Sequence, residues 1–306
     1  METDQYTNRN FSKYLRWVFM IAWVMQVAIW MLYQNGGRVP GQLLMSIMMY
    51  APLVAVLLAG VKLKGMGWKP RLKGNIGVLL FSWFMPTILT FIGAALYFAI
   101  FTGHLDLTGE SIMASLGDAG TAALEQLKAQ GISYATYMLM TSIGASIYAP
   151  LLNMFFAIGE EAGWRGYMYP VLKEKYGRKK GVIIGGIIWG IWHWPLIGLI
   201  GYEYGYEYVG FPITGMLMFL LFTIALGIMC DWVYEKSGCI WFPAILHGSI
   251  NAAATIPIAV CRADTGSFRL LGPVPNGLIA GLPIILVSLW LLHKNYSAKN
   301  IKNYQQ

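Results

Sequence analysis

Residues 149–166 read APLLNMFFAIGEEAGWRG, and this stretch combines the two properties that decide the fold. Its first part is apolar enough to lie inside a membrane, and its second part carries two adjacent glutamates followed by an arginine. A transmembrane helix needs about 20 apolar residues to cross the ~30 Å hydrocarbon core of a bilayer. The chain contains eight segments that approach this length, over residues 14–33, 42–61, 76–101, 135–159, 181–200, 211–233, 239–260 and 277–292. We therefore expect an all-α polytopic bundle of about eight transmembrane helices.

The composition indicates the same class of protein. Of the 306 residues, 57% are hydrophobic and 12% are charged. A typical soluble domain has about 25% charged residues, and a disordered chain combines high charge with low hydrophobicity. Both of these classes are excluded. No internal repeat or long linker interrupts the chain, so we expect residues 1–306 to form a single transmembrane domain.

The basic residues are distributed unevenly between the two sides of the expected bundle. One side receives 18 of the 22 Lys and Arg residues, in the regions 9–16, 62–73, 165–180, 236 and 294–302. The other side receives only Arg38, Lys128, Arg262 and Arg269. Because Lys and Arg are enriched in cytoplasmic loops, this distribution predicts that the basic side and both termini are cytoplasmic. The formal charge of +8 is then an orientation signal, and we expect no nucleic-acid partner.

Three of the apolar segments contain ionisable side chains at a similar depth. Glu160, His193 and His247 lie 13, 13 and 11 residues from the basic residue that borders the inner end of each segment. At a helical rise of ~1.5 Å per residue, these separations correspond to roughly 16–20 Å. Ionisable residues inside a membrane are costly and mark a functional site by default. The three positions therefore predict one polar cluster.

Two pairs at helical spacing suggest different roles within this cluster. Glu161 and Arg165 are at positions i and i+4, with the acid on the N-terminal side, which favours an ion pair on one helix face. Glu160 points about 100° away from that face and is left free to act as a base. His247 and Asn251 share a face and offer donors to an oxyanion. The structural alternatives are an interhelical hydrogen bond for each histidine, a purely structural ion pair, and a packing role for Asn251.

The order of these motifs resembles a known protease family. Glu-Glu-x-x-x-Arg at 160–165, an aromatic-x-x-x-His that ends at His193, and His-x-x-x-Asn at 247–251 are similar to the motifs of the CPBP family. This family comprises the CAAX prenyl proteases and the bacteriocin-processing proteins, which are also called Abi or self-immunity proteins. The resemblance covers residues 140–260 and implies that they form a catalytic core. Trp189 occupies a position where the eukaryotic pattern has phenylalanine.

The resemblance also implies a role for each motif residue. Glu160 would act as the general base that activates a water, and His193 would position or polarise that water. His247 and Asn251 would stabilise the tetrahedral oxyanion. The ion pair would hold the shape of the site.

The motifs leave the use of a metal open. Glu160, His193 and His247 could hold Zn²⁺ with one position open for water, although the sequence contains no His-Glu-x-x-His. A glutamate-dependent mechanism is the favoured interpretation, and a zinc site is the alternative.

The leading functional hypothesis is an intramembrane endopeptidase that hydrolyses a peptide bond near the cytoplasmic leaflet, in a polar cavity open to the cytoplasm. Its substrate would be a prenylated protein, a peptide pheromone or a bacteriocin precursor, and its location would be a bacterial cell membrane. One alternative is a non-proteolytic bacteriocin-immunity or membrane scaffold protein. Another is a transporter that uses the buried glutamate and histidines as a proton relay.

Overall fold

The regular structure of the chain is helical. A computed structural model describes residues 2–296, with side chains described from residue 9 onward. Within this range, the only β-type pairing is an isolated bridge between Leu105 and Cys261. The α-helices of the described residues are α1 (Glu2–Gln34), α2 (Arg38–Met48), α3 (Ala51–Leu58), α4 (Ile76–Ile100), α5 (Glu110–Ser115), α6 (Asp118–Ala129), α7 (Tyr134–Ile147), α8 (Ala149–Gly163), α9 (Tyr169–Tyr176), α10 (Arg178–Trp192), α11 (Trp194–Ile200), α12 (Ile213–Ser237), α13 (Trp241–Ala253), α14 (Thr255–Ala259) and α15 (Leu282–Tyr296). The expected all-α class is confirmed.

Several of these helices are long and apolar enough to cross a membrane. Five such stretches occur among the described residues: Arg9–Gln34, Ile76–Ile100, Arg178–Ile200, Ile213–Ser237 and Trp241–Ala259. Two further pairs qualify if each is one bent span, namely α2 with α3, bent by 45°, and α7 with the stretch from α8 to α9, bent by 50°. The polytopic helical bundle is therefore confirmed, with five to seven candidate spans in the part of the chain that the structure describes.

The last expected segment, 277–292, corresponds to α15, whose 15 residues are shorter than the other candidate spans. The count of eight spans and the location of the termini remain predictions. The basic positions 299 and 302, which were assigned to the inner side, lie outside the described residues.

One end of the bundle gathers the loops that carry most of the basic residues. The backbone N–H of Ile240 donates to the carbonyl of Gly67 at 3.0 Å, and the Trp241 indole N–H donates to the carbonyl of Trp68 at 2.8 Å. These bonds join the basic loop between α3 and α4 to the turn between α12 and α13.

The opposite end gathers the loops with few basic residues. The backbone N–H of Asp106 donates to the carbonyl of Val260 at 2.9 Å, and the Tyr204 hydroxyl donates to the carbonyl of Asn276 at 2.9 Å. The loops that the charge distribution separates therefore pack at opposite ends of the bundle.

Glycines allow the helices that carry two of the motifs to pack closely. A Cβ atom on Gly163 of α8 would lie 2.3 Å from the Cβ of Pro52 in α3. A Cβ atom on Gly248 of α13 would lie 2.8 Å from the backbone nitrogen of Met154 in α8. Small residues of this kind let membrane helices approach each other where no hydrophobic driving force acts between them.

A charged network ties four elements together at the basic end. Lys173 lies 2.7 Å from Asp231 and 2.8 Å from Glu235. Arg178 lies 2.6 Å from the other oxygen of Glu235. The Tyr296 hydroxyl donates to Asp231 at 2.5 Å. The network thus links α9, α10, α12 and α15 around the fully buried carboxylate of Asp231.

Replacing Asp231 with asparagine is expected to lower the stability of the protein by about 3 kcal/mol, because it leaves the largely buried Lys173 without its closest counter-charge. Thermal unfolding of the purified protein in detergent measures the loss. The control is Glu125→Gln, which removes the exposed pair between Glu125 and Lys128 and is expected to leave the unfolding temperature unchanged. Equal shifts for the two variants would contradict the structural role of the network.

Candidate active site

A change of helix type positions the two adjacent glutamates. The chain passes from α8 into a π-helix over Trp164–Met168 before α9 begins. Across this turn the Trp164 indole N–H donates to Oε2 of Glu160 at 3.0 Å, and Nη1 of Arg165 donates to Oε1 of Glu161 at 2.8 Å. The structure thus contains the ion pair that the spacing predicts. Single π-turns inside α-helices frequently occur at functional sites.

The carboxylate of Glu160 is held through one of its two oxygens. Oε2 accepts the indole N–H of Trp164 and also the indole N–H of Trp189, the latter at 2.7 Å. Within the described chain, no donor is found for Oε1, and the carboxylate borders a cavity although only 2% of the residue is exposed. Glu160 therefore has one anchored oxygen and one oxygen available to a water.

Glu161 joins the ion pair to the third motif. Its Oε1 atom accepts from Arg165 and also from Nδ1 of His247, at 2.9 Å. Because a carboxylate paired with a guanidinium only accepts hydrogen bonds, the histidine carries its proton on Nδ1. Its Nε2 atom is directed away from Glu161, and the side chain lines the same cavity as Glu160. Glu161 thus fixes the orientation of His247.

The Arg165 side chain is completely buried and lies between two aromatic rings. Its Cζ atom is 4.5 Å from the ring centroid of Trp189 and 4.7 Å from that of Tyr169. Within the described chain, its Nε and Nη2 atoms have no hydrogen-bond acceptor. A cation over an aromatic face is stabilised by about 2 kcal/mol when it is shielded from water. The ring faces therefore compensate for part of the missing hydrogen bonding.

His193 lies at a break between α10 and α11. Its Nδ1 atom is 2.9 Å from the carbonyl oxygen of Trp189, and since a carbonyl only accepts, Nδ1 carries the proton and Nε2 is an acceptor. The imidazole stacks on Tyr202, with ring centroids 6.2 Å apart and an interplanar angle of 10°, and it contacts Phe219 at 4.8 Å. The ring is therefore held by aromatic neighbours, and within the described residues no donor is found for Nε2.

A glutamine from α1 forms hydrogen bonds with the backbone groups that are left unpaired at this break. In an unbroken helix, the N–H of Leu196 would donate to the carbonyl of Trp192. Here the fully buried Gln26 side chain stands between them: its Nε2 atom donates to the Trp192 carbonyl at 2.8 Å, and its Oε1 atom accepts the Leu196 N–H at 3.1 Å. A side chain inserted into the helical ladder is a known cause of kinks. Gln26 thus supports the bend at which His193 is placed.

Four of the candidate residues meet at one cavity of about 890 Å³: Glu160, His193, His247 and Asn251 all form part of its wall. The other two, Glu161 and Arg165, are fully buried behind the wall. Four candidate residues thus face the cavity and two lie behind them, and their roles stay predictions.

The cavity extends toward the end of the bundle that has few basic residues. Its wall includes residues 201–207 of the loop between α11 and α12, together with Arg269 and Asn276 from the segment before α15. No lining residue within the described range comes from the basic loops at 61–75, 173–180 or 235–240. The described lining thus belongs to the end of the bundle with few basic residues, and the opening of the cavity to the cytoplasm stays a prediction.

A half-buried carboxylate, that of Glu203, lines one end of this cavity. Glu203 has a backbone φ of 68°, and its Oε2 atom accepts from the Asn276 side chain at 2.9 Å. Burial raises the pKa of Glu203 above the usual carboxyl value, while hydrogen bonds from Tyr202 and Asn276 oppose the rise. This end of the cavity is therefore polar, although aromatic rings surround it.

The donor set does not fit a zinc site. Among the described residues, no three His, Cys, Asp or Glu side chains are grouped so that they could hold a metal ion. Oε2 of Glu160 is already taken by two indole N–H groups. We therefore derive no chemical step through a metal held by Glu160, His193 and His247.

Comparison with known proteins identifies the region that contains this site. Residues 141–253 match the family model described as type II CAAX prenyl endopeptidase Rce1-like. The protein named CAAX prenyl protease 2 of Methanococcus maripaludis is 36% identical over 107 residues, which are 34% of this chain and 39% of that relative. The resemblance to the CPBP family is confirmed. The CPBP-like region, residues 141–253, contains all three motifs. The chain spans only about two fifths of the length of the curated relative it matches.

Three contributors to the site were not identified from the sequence. Trp189 was considered only as an aromatic motif position, and Trp164 was not considered at all, yet both donate to the carboxylate of Glu160. Gln26 lies in the middle of the apolar segment 14–33 and outside the CPBP-like region. A polar residue at membrane depth is itself a signal, so Gln26 could have been found by the rule that selected the histidines.

Replacing Gln26 with methionine is expected to loosen the chain around His193, because it leaves the carbonyl of Trp192 and the N–H of Leu196 unpaired at a cost of about 1–3 kcal/mol. Hydrogen–deuterium exchange followed by mass spectrometry should show faster exchange in peptides that cover residues 190–200. The control is Gln126→Met on the exposed face of α6, which should leave this exchange unchanged. Equal exchange in both variants would contradict the bracing role of Gln26.

Proposed function

We propose that the chain is an intramembrane endopeptidase of the CAAX-protease type and that residues 140–260 form its catalytic core. The observation that carries this proposal is the convergence of Glu160, His193, His247 and Asn251 on one cavity. The name of the Methanococcus relative supports the same activity. The substrate would be a peptide or protein that enters the membrane, and the host membrane would be that of a bacterial cell.

Glu160 is the proposed general base. It removes a proton from a cavity water through Oε1, and the resulting hydroxide attacks the carbonyl carbon of the scissile peptide bond. Oε2 stays fixed by the indole N–H groups of Trp164 and Trp189, so the proton acceptor keeps its orientation. The same carboxyl group then returns the proton to the leaving nitrogen as the C–N bond breaks.

The remaining residues of the wall position the water and stabilise the developing charge. Nε2 of His193 accepts a hydrogen bond from the attacking water and so turns a lone pair of the water oxygen toward the substrate. Asn251 donates from its side-chain amide to the oxyanion, and His247 donates from Nε2 when its ring is protonated. Donors placed where charge develops in a site shielded from water are usually the largest catalytic contribution.

Replacing Glu160 with glutamine is expected to reduce cleavage by about 10²–10⁴-fold, because the amide cannot take the proton from water. Amino-terminal labelling of membrane proteins from cells that express either form measures the new N-termini produced. The control is Glu125→Gln, which changes an exposed glutamate on α6 and should match the unmodified chain. An identical set of N-termini with and without Glu160 would exclude this base and favour the non-proteolytic immunity or scaffold function.

Replacing Trp189 with phenylalanine is expected to lower kcat by about tenfold or more, because a hydrogen bond to a charged group contributes about 1.5–3 kcal/mol. Trp192→Phe is a matched control: Trp192 is also fully buried, but within the described residues its indole N–H has no partner. Both changes remove the same volume and leave an aromatic ring, but only Trp189→Phe removes a hydrogen bond to Glu160. Equal losses of activity would show that packing, and not the hydrogen bond to Glu160, is what the indole supplies.

A further inference from the structure

One basic side chain lies in the wall of the cavity. Among the described residues that line it, Arg269 is the only lysine or arginine, whereas three glutamates, Glu160, Glu203 and Glu207, also border the space. Arg269 lies in the segment between α14 and α15, outside the CPBP-like region. None of the three motifs therefore accounts for this cation.

The guanidinium of Arg269 is half-buried and unpaired. Within the described residues, its side chain has neither a hydrogen-bond acceptor nor an ion-pair partner. Burial lowers the pKa of Arg269 below the usual arginine value, whereas Cys261, Tyr97 and Glu207 oppose this effect. An arginine in a protein stays charged and offers five N–H donors. This side chain is therefore available to an anionic ligand in the cavity.

The carboxylates at the same end of the cavity do not pair with Arg269. Glu203 already accepts a hydrogen bond from Asn276 at 2.9 Å, and burial raises its pKa, which reduces its negative charge. Glu207 is exposed, and its Oε2 atom packs against Gly266, where a Cβ atom would collide with it. An exposed carboxylate is hydrated and gains little from an ion pair. The charged group that lacks a partner at this end is thus the cation.

The cavity places Arg269 and the proposed catalytic residues around one space. Along α13 and α14 its wall runs from His247 through Asn251 to Ile258, which is roughly 16 Å at the helical rise. An extended peptide advances about 3.3 Å per residue, so a segment of several residues fits along this wall. A peptide that is cleaved at Glu160 would then share the cavity with Arg269.

A carboxylate is the ligand that matches this unpaired guanidinium. The planar fork of an arginine binds a carboxylate through two parallel hydrogen bonds, and such charge-assisted bonds are roughly twice as strong as neutral ones. A peptide supplies carboxylates from two sources, namely the side chains of aspartate and glutamate and the C-terminus of the chain. The guanidinium binds both sources through the same chemistry.

We propose that Arg269 binds a carboxylate of the peptide substrate and thereby determines which peptides are cleaved. The carboxylate is either an acidic side chain or a free C-terminus, and the experiment below distinguishes the two. The proposal rests on the proposed protease function for the meaning of substrate. Arg269 takes no part in breaking the peptide bond, so its replacement changes the choice of substrate.

Peptide binding tests the proposal without requiring cleavage. The full chain with Glu160→Gln is purified in a non-ionic detergent, and the binding of fluorescent peptides is measured by polarisation. All peptides share one apolar sequence. The first has a free C-terminus and no acidic residue, the second set has an amidated C-terminus and one glutamate at successive positions, and the neutral reference has glutamine and an amidated C-terminus.

A peptide with one of the two kinds of carboxylate is expected to bind about tenfold more tightly than the neutral reference. Arg269→Gln should lower its affinity to that of the reference, and Arg269→Glu should transfer the preference to a peptide with lysine in place of glutamate. The control is Arg262→Gln, which changes an exposed arginine of the same segment that is paired with Asp264 and should keep the preference.

Three outcomes of the binding measurement would overturn the proposal. The first is equal affinity for the neutral reference and for both kinds of carboxylate peptide. The second is a carboxylate preference that survives Arg269→Gln, and the third is the absence of binding by every peptide. A transferred preference in Arg269→Glu cannot arise from misfolding, so it separates recognition of charge from a structural role of Arg269.

Cleavage by the chain with Glu160 intact distinguishes this proposal from the protease function. Arg269→Gln is expected to lower kcat/KM for the carboxylate peptides by about tenfold, mainly through a higher KM, because the lost contact binds substrate and transition state alike. A carboxylate preference in binding without cleavage of any peptide would contradict the protease function and leave the binding site intact. Cleavage without a carboxylate preference would contradict the role of Arg269 alone.

Discussion

Arg165 and Glu161 lie 2.8 Å apart with neither side chain exposed, inside a bundle that is itself surrounded by lipid. Removing two charges from water carries a large desolvation penalty, and a buried pair offsets it only when the geometry is good and the remaining donors have partners. Within the described residues, two guanidinium nitrogens of Arg165 have no acceptor. The pair is instead supported by the His247 imidazole on α13, which bonds to Glu161, and by the ring of Trp189 on α10, which lies over Arg165. The helices that carry the three motifs therefore meet at this ion pair.

Trp189 connects this ion pair to the proposed catalytic site. Its ring face packs against Arg165, while its N–H donates to Glu160. A phenylalanine at this position could pack its ring against Arg165 but could not donate a hydrogen bond to Glu160. A sequence pattern does not reveal this difference, because it records aromatic character and does not record where an N–H points. In this chain, the Trp189 indole contacts Arg165 through its ring face and Glu160 through its N–H. One side chain therefore connects the buried ion pair to the proposed base.

The sequence predicted those features that depend on spacing along one helix. The apolar segments, the pairing of Glu161 with Arg165 and the shared face of His247 and Asn251 all follow from a period of 3.6 residues. The remaining features depend on contacts between helices distant in sequence. Gln26 forms hydrogen bonds with the backbone at the break between α10 and α11, more than 160 residues away in sequence. The end of the bundle at which the cavity lies depends on how distant helices pack. Neither property is encoded in the periodicity of a single segment.

The breaks in the helices explain why a water-filled site can exist at this depth. Irregular backbone is tolerated inside a membrane only where it is enclosed by protein or lines a cavity, because unpaired N–H and carbonyl groups are costly in hydrocarbon. The helix break at His193 and the π-turn after Glu160 both lie beside the cavity, and Gln26 pairs with the backbone groups freed at the first of them. Glu160 precedes the π-turn, His193 lies at the other break, and both side chains line the cavity. The departures from regular helix thus coincide with the positions of the proposed base and the proposed water-positioning histidine.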